Sequence, residues 1–138
     1  MTAFVVDASI ALAWCFADEA TPAADAVLDR LADEEAAAPA LWRLEVANAL
    51  AMAERLGRLS VAGLTRSVAL LQRPAIAIDP EGSERAFRDL LDLARSERLT
   101  VYDATYLELA LRLGVPLASK DIKLRKAAAR LGLALLGV

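Results

Sequence analysis

The chain has 138 residues, a hydrophobic fraction of 57% and a formal net charge of −3. That length suits one domain with a real core, and the apolar fraction excludes a disordered chain. The absence of histidine and the single cysteine, Cys15, exclude a Ser-His-Asp triad, a Cys-His pair, histidine-ligated zinc and an internal disulfide.

The elements follow in chain order. Ala3–Val6 predicts a strand buried on both faces, because it is continuously apolar. Asp7 ends it, and Ser9 is placed to cap a short helix through about Phe16. Thr21 before Pro22 opens a second helix to about Glu35. Ala36–Ala38 is a short strand, and Leu41–Leu56 a long helix ended by Gly57. Ser60–Gln72 is a helix stopped by Pro74, Ala75–Ile78 a strand, and Gly82–Arg98 a helix. Thr100–Leu113 is a helix ended by Gly114, and Val115–Ala118 a strand. Asp121–Leu131 is a helix ended by Gly132, with Leu133–Leu136 as the last strand. Strands separated by helices imply right-handed crossovers and a mostly parallel sheet covered on both faces. No apolar run is long enough to cross a bilayer, and Asp7 interrupts any signal-like start, so a cytoplasmic protein is expected.

Most of the acids need no explanation. Asp25, Asp29 and Asp33 make a polar stripe on one helix, and Glu81, Glu84, Arg85, Arg88 and Asp92 read as surface charges. Asp79, before Pro80, reads as a cap or turn residue. Four acids are out of place. Asp7 ends a buried strand, where an unpaired charge is costly. Glu45 has Leu41, Trp42, Asn48 and Ala49 as its neighbours at three and four residues, and three of those are apolar. Asp103 heads the apolar stripe Tyr106, Leu107, Ala110, opposite a polar face of Thr105, Glu108 and Arg112. Asp121 falls between a strand and a helix, where N-capping also accounts for it. In open α/β sheets, sites form outside the carboxyl ends of strands. Several carboxylates sharing one pocket need a counter-charge. With oxygen ligands alone, that points to Mg²⁺ or Mn²⁺ and to metal-assisted hydrolysis of a phosphodiester.

The stretches FVVDASIALAWCF, PALWRLEVANAL, LTVYDATYLELA and LASKDIKLRKAA, in this order, resemble the PIN-domain ribonucleases, and in particular the VapC-type toxins of bacterial toxin–antitoxin pairs. The resemblance spans nearly the whole chain, as a single domain over 1–138. Its acids map onto Asp7, Glu45, Asp103 and Asp121, its hydroxyl positions onto Ser9 and Ser119, and a frequent active-site neighbour onto Asn48. It implies a three-layer α/β/α sandwich with a five-stranded parallel sheet, a homodimer, Mg²⁺ or Mn²⁺ as cofactor, RNA as substrate, and a cognate antitoxin that inserts a segment into the active-site groove.

On this reading Asp7, Glu45 and Asp103 hold one or two metal ions and Asp121 completes the site. Ser9 and Ser119 contact substrate phosphate or orient the carboxylates, with a cap role for Ser9 equally open. Lys120, Lys123, Arg125, Lys126 and Arg130 beside Asp121, with Arg43, Arg55 and Arg58 near Glu45's helix, are candidates for a basic rim. Trp14 and Trp42 sit in apolar runs and read as core or interface residues. Ser60–Gln72 and Ala49–Leu56 are the candidate dimer segments, being more apolar than a water-facing helix needs. Two alternatives stay open, a metal-dependent phosphatase on a similar sheet and an RNA- or partner-binding module that does not cut. Against the first, Asp7 is followed by Ala8 and Ser9 rather than by a second acid.

Overall fold

A computed structural model describes all 138 residues. Five strands form one parallel sheet: β1 Thr2–Val6, β2 Glu35–Pro39, β3 Ile76–Asp79, β4 Leu117–Ala118 and β5 Leu135–Leu136. Their spatial order is β3-β2-β1-β4-β5. Seven α-helices connect them: α1 Ala8–Cys15, α2 Pro22–Arg30, α3 Leu41–Arg55, α4 Val61–Leu71, α5 Leu91–Glu97, α6 Val101–Leu113 and α7 Ile122–Arg130. The strand order dictates the layers. Two right-handed steps from β1 to β2 to β3 put α1–α4 on one face. Reversing direction to reach β4 and then β5 puts α5–α7 on the other. The helices pack accordingly, α1 against α2, α3 and α4, and α6 against α5, α7 and the strands β1, β2 and β4.

The core follows from the apolar runs. Phe4, Val5 and Val6 are fully buried at the sheet centre, with Val5 beside Ala37 on one side and Leu117 on the other. The alanines of β2, Ala36–Ala38, are buried as well, and their small side chains leave room for α6 and α3 to lie close to the sheet. Hydroxyl caps start several helices as their sequences predict: Thr21 accepts from the Ala24 N–H at 3.1 Å, Ser60 from Gly63 at 3.0 Å and Thr100 from Asp103 at 3.1 Å. Gly114, in the left-handed region at φ 66°, ends α6.

Three expectations are corrected. The second helix stops at Arg30 rather than near Glu35, because Glu35 is drawn into the ladder opposite Thr2. The helix expected over Gly82–Arg98 winds unevenly: a 3₁₀ turn over Gly82–Arg85, a π turn over Ala86–Leu90, then α5. The wide turn keeps Arg85, Leu90 and Ala94, spaced five and then four residues apart, toward α6. The third correction concerns α6 itself. The supposed solvent face is covered, with Thr105 and Glu108 buried. Glu108 and Asp79 converge on Arg112, at 2.8 Å each, and Arg85 approaches Glu108 at 3.2 Å. Asp79 is therefore no simple turn residue, nor Arg85 an idle surface charge; together they lock the segment after β3 onto α6.

Arg112→Ala is expected to cost about 3 kcal/mol, since it leaves the largely covered Asp79 carboxylate without a cation and Glu108 with Arg85 alone, and to lower Tm by roughly 10 °C. The Arg112 guanidinium holds Asp79's carboxyl below the usual carboxylate range, with burial opposing. Asp79's contribution is thus fully present above its ordinary value of 3.8 and fades as pH falls through the lowered folded one. Thermal melts between pH 2 and pH 7 check both points. A variant matching the wild type at neutral pH would show the network to be idle.

Candidate active site

Between β1 and β4 the chain reverses its direction of travel across the sheet, which makes the crevice beyond their carboxyl ends the natural site. Asp7 follows β1 there, and Ser119 and Asp121 follow β4. Asp7 is 4% exposed. It, and not Ser9, is the N-cap of α1, with Oδ1 accepting from the Ile10 N–H at 3.1 Å. The helix begins at Ala8, two residues earlier than Ser9 capping requires, because the buried carboxylate is already in place for the free N–H group. Ser9 does something else. Its hydroxyl donates to Asp7 Oδ1 at 2.6 Å and accepts from the Lys120 N–H at 2.8 Å. Ser119 mirrors it from the other side, donating to Asp7 Oδ2 and accepting from the Asp121 N–H at 3.0 Å. The two hydroxyls stitch the β1–α1 junction to the β4–α7 loop through one carboxylate.

Three hydrogen bonds occupy most of the roughly four acceptor sites of a carboxylate. Burial nevertheless raises Asp7 to about 6 against the lowering effect of those bonds, with the Asp121 charge adding to the rise. Asp121 caps α7, accepting from the Leu124 N–H at 2.8 Å through Oδ1. The residue is exposed, and Oδ2 makes no hydrogen bond within the chain.

Glu45 reaches the site from α3 and Asp103 from the first turn of α6. Both are half-buried. Burial pushes Glu45 up, the Tyr106 hydroxyl bond opposes this, and the Asp103 charge adds to it. Burial pushes Asp103 up as well, followed by the Asp121 charge, with Lys123 opposing. The acids therefore form a chain of mutual repulsion, Glu45 to Asp103 to Asp121 to Asp7. No three of them already enclose a coordination point.

Tyr106 is the residue sequence reasoning missed. It reads as part of the apolar stripe of α6, yet its hydroxyl donates to Glu45 Oε1. Burial first, then Glu45, push that hydroxyl up, so it stays a donor. Trp42 was also missed as a site element: its indole N–H donates to the Asp7 carbonyl at 3.2 Å, pinning α3 to the end of β1. Polar handles on residues in apolar runs were the only signal for either. Asn48, by contrast, is exposed on α3.

The expected basic rim thins out. Arg125 donates to the Ser119 and Leu136 carbonyls, both at 2.8 Å, and so holds β4 to β5. Lys120 Nζ donates to the Glu19 carbonyl at 2.6 Å. Arg58 pairs with Asp18 and Glu19, and Arg130 with Glu97. Lys123, Lys126 and Arg43 are exposed and outside these pairs.

An all-oxygen donor set with unrelieved negative charge is matched to a hard cation. The loose grouping suits Mg²⁺, which keeps several waters and takes only one or two carboxylates directly.

Residues 4–130 match the family model described as PIN domain. Among solved structures, the crystal structure of PAE2754 from Pyrobaculum aerophilum aligns with a TM-score of 0.69 and 29% sequence identity, over 97% of this chain and 83% of that one. A comparison with curated proteins gives no match.

Proposed function

We propose a specific activity from a plain premise: the chain belongs to the PIN-domain family, whose domains are generally nucleases. Residues 1–138 form one domain that hydrolyses RNA phosphodiester bonds with Mg²⁺ or Mn²⁺. The observation carrying this reading is the set of four acids around the β1–β4 crevice, three of them raised by burial and like charge with no Lys or Arg among their hydrogen-bond partners.

Asp7, Glu45 and Asp103 would hold the metal, directly or through its bound waters. When bound, it supplies charge neutralisation at the phosphate and a more acidic water. The remaining roles belong to the chain. Ser9 and Ser119 fix both oxygens of Asp7. Tyr106 fixes Glu45 and keeps one of its oxygens turned into the crevice. Asp121 spends Oδ1 on its cap and directs Oδ2 at the attacking water. The water oxygen bonds to phosphorus, giving up a proton to Asp121, as the bond to the leaving oxygen breaks, and the leaving oxygen takes up a proton from solvent. Lys123 offsets negative charge beside Asp103 and is placed to meet the RNA backbone.

Within this proposal the chain is the VapC-like toxin of a toxin–antitoxin pair, cytoplasmic, and restrained by an antitoxin segment. Homodimerisation through α3 and α4 is supported by a groove of about 230 Å³ between them, lined mainly by Trp42, Val46, Leu50, Val68 and Leu71. Leu44, Leu56 and Val61 are exposed on the same two helices or their connection.

Purified protein is expected to cleave single-stranded RNA with Mg²⁺ or Mn²⁺ and to stop when EDTA is added. Absence of metal-dependent cleavage across oligonucleotides of varied sequence would overturn the ribonuclease reading. Metal-dependent binding without cleavage would favour the binding-module alternative.

A further inference from the structure

A second cavity of about 230 Å³ opens at the carboxyl ends of β2 and β3, on the sheet edge that also carries the acids, walled chiefly by Pro39, Leu41, Ala86, Leu90, Tyr102 and Thr105. Leu41 stands one helical turn before Glu45 on α3, and Tyr102 immediately precedes Asp103 on α6. The two helices that carry half of the acids therefore also wall the cavity. Tyr102 is 62% exposed, so its ring is available at the cavity's edge. Asp79, whose carboxylate is held by Arg112, adds a fixed acceptor to the lining.

Resting on the ribonuclease reading, we propose that this cavity holds one base of the RNA strand, next to the cleaved phosphate and stacked on Tyr102. Its volume is below the range of about 300–1,000 Å³ for drug-sized ligands, which suits a single planar ring system. An aromatic face stacks with any base, so Tyr102 contributes affinity without demanding a sequence. The division of labour is chemical. The charged phosphate goes to the acids with their cation, and the neutral base turns away from that charge into the apolar recess. Asp79 offers an acceptor to the amino group of a base.

The test uses the full chain and a short single-stranded RNA, with binding read by fluorescence anisotropy and Ca²⁺ replacing Mg²⁺ to spare the strand. Tyr102→Ala is expected to weaken binding about tenfold, within the usual value of one stacked base. Tyr102→Phe and Tyr102→Trp are expected to bind like the wild type, because the ring and not the hydroxyl does the stacking. Abasic substitutions are then walked along the strand. At one position the loss should match that of Tyr102→Ala in the wild type and add nothing in the variant. A merely structural role for Tyr102 would give additive losses at every position. Additive losses, or undiminished binding by Tyr102→Ala, would overturn the inference and leave the cavity to a protein segment. If Mg²⁺-dependent cleavage by the wild type persists in that case, the ribonuclease reading stands alone. If the wild type neither binds nor cleaves RNA, both fall.

Discussion

Asp103→Asn is expected to lower Mg²⁺-dependent RNA cleavage about a thousandfold, the loss of ~4 kcal/mol of transition-state stabilisation at a metal ligand. The fold should survive. Asp103 is half-buried and caps nothing, since Thr100 starts α6. Replacing its carboxylate by an amide also removes a charge that Asp121 and burial both disfavour. Cleavage kinetics should show the loss mainly in kcat, while circular dichroism and Tm stay at or above the wild-type values. Cleavage within tenfold of wild type would remove Asp103 from the metal site. A collapsed Tm would make it structural instead.

The second large effect separates stability from activity at Asp7. Burial raises this carboxyl from 3.8 to about 6, in spite of bonds from Ser119, Ser9 and the Ile10 N–H. For a group raised on folding, the favourable contribution is complete below the unfolded value and lost as pH rises through the folded one. Without metal, the wild type should therefore lose about 3 kcal/mol from this group between pH 4 and pH 8, at ~1.4 kcal/mol per unit. Asp7→Asn has nothing to titrate. Asparagine caps a helix as well as aspartate does, and its amide nitrogen can donate to whichever serine hydroxyl the oxygen does not serve.

In EDTA, the stability of Asp7→Asn relative to wild type should thus improve by that amount from pH 4 to pH 8, while in Mg²⁺ the variant's cleavage is lost. Adding Mg²⁺ at pH 7.5 should raise the wild-type Tm by relieving the carboxylate, and leave the variant nearly unmoved. Denaturant titrations at the two pH values, with and without metal, measure every term. A flat difference across pH would show that Asp7 is not strained by its burial.

Both expectations depend on the same wiring. Ser9 and Ser119 are each bonded to Asp7 and to the backbone of the β4–α7 loop. The carboxylate is thus held at a junction of two segments that meet only in the folded protein. A site so preorganised keeps its charges close at a standing cost, and a bound cation offsets that cost.

The residues themselves determined the order and type of nearly every element. Apolar runs, caps such as Thr21, Ser60 and Thr100, and stops such as Gly114 act within a turn of chain, so the local order of residues places them. The out-of-place acids were legible for a related reason. A carboxylate at the end of a buried strand, or inside an apolar helical stripe, conflicts with its neighbours at once. What each acid is bonded to was not legible. Ser119 meets Asp7 across 112 positions, Tyr106 meets Glu45 across 61 and Arg112 meets Asp79 across 33. Such pairings come from the strand order β3-β2-β1-β4-β5, which brings distant ends to one edge. The cap of α1 shows the same division. Local propensity accepts either Ser9 or Asp7, and only the tertiary fold, by spending Ser9 on the β4–α7 loop, leaves Asp7 to start the helix.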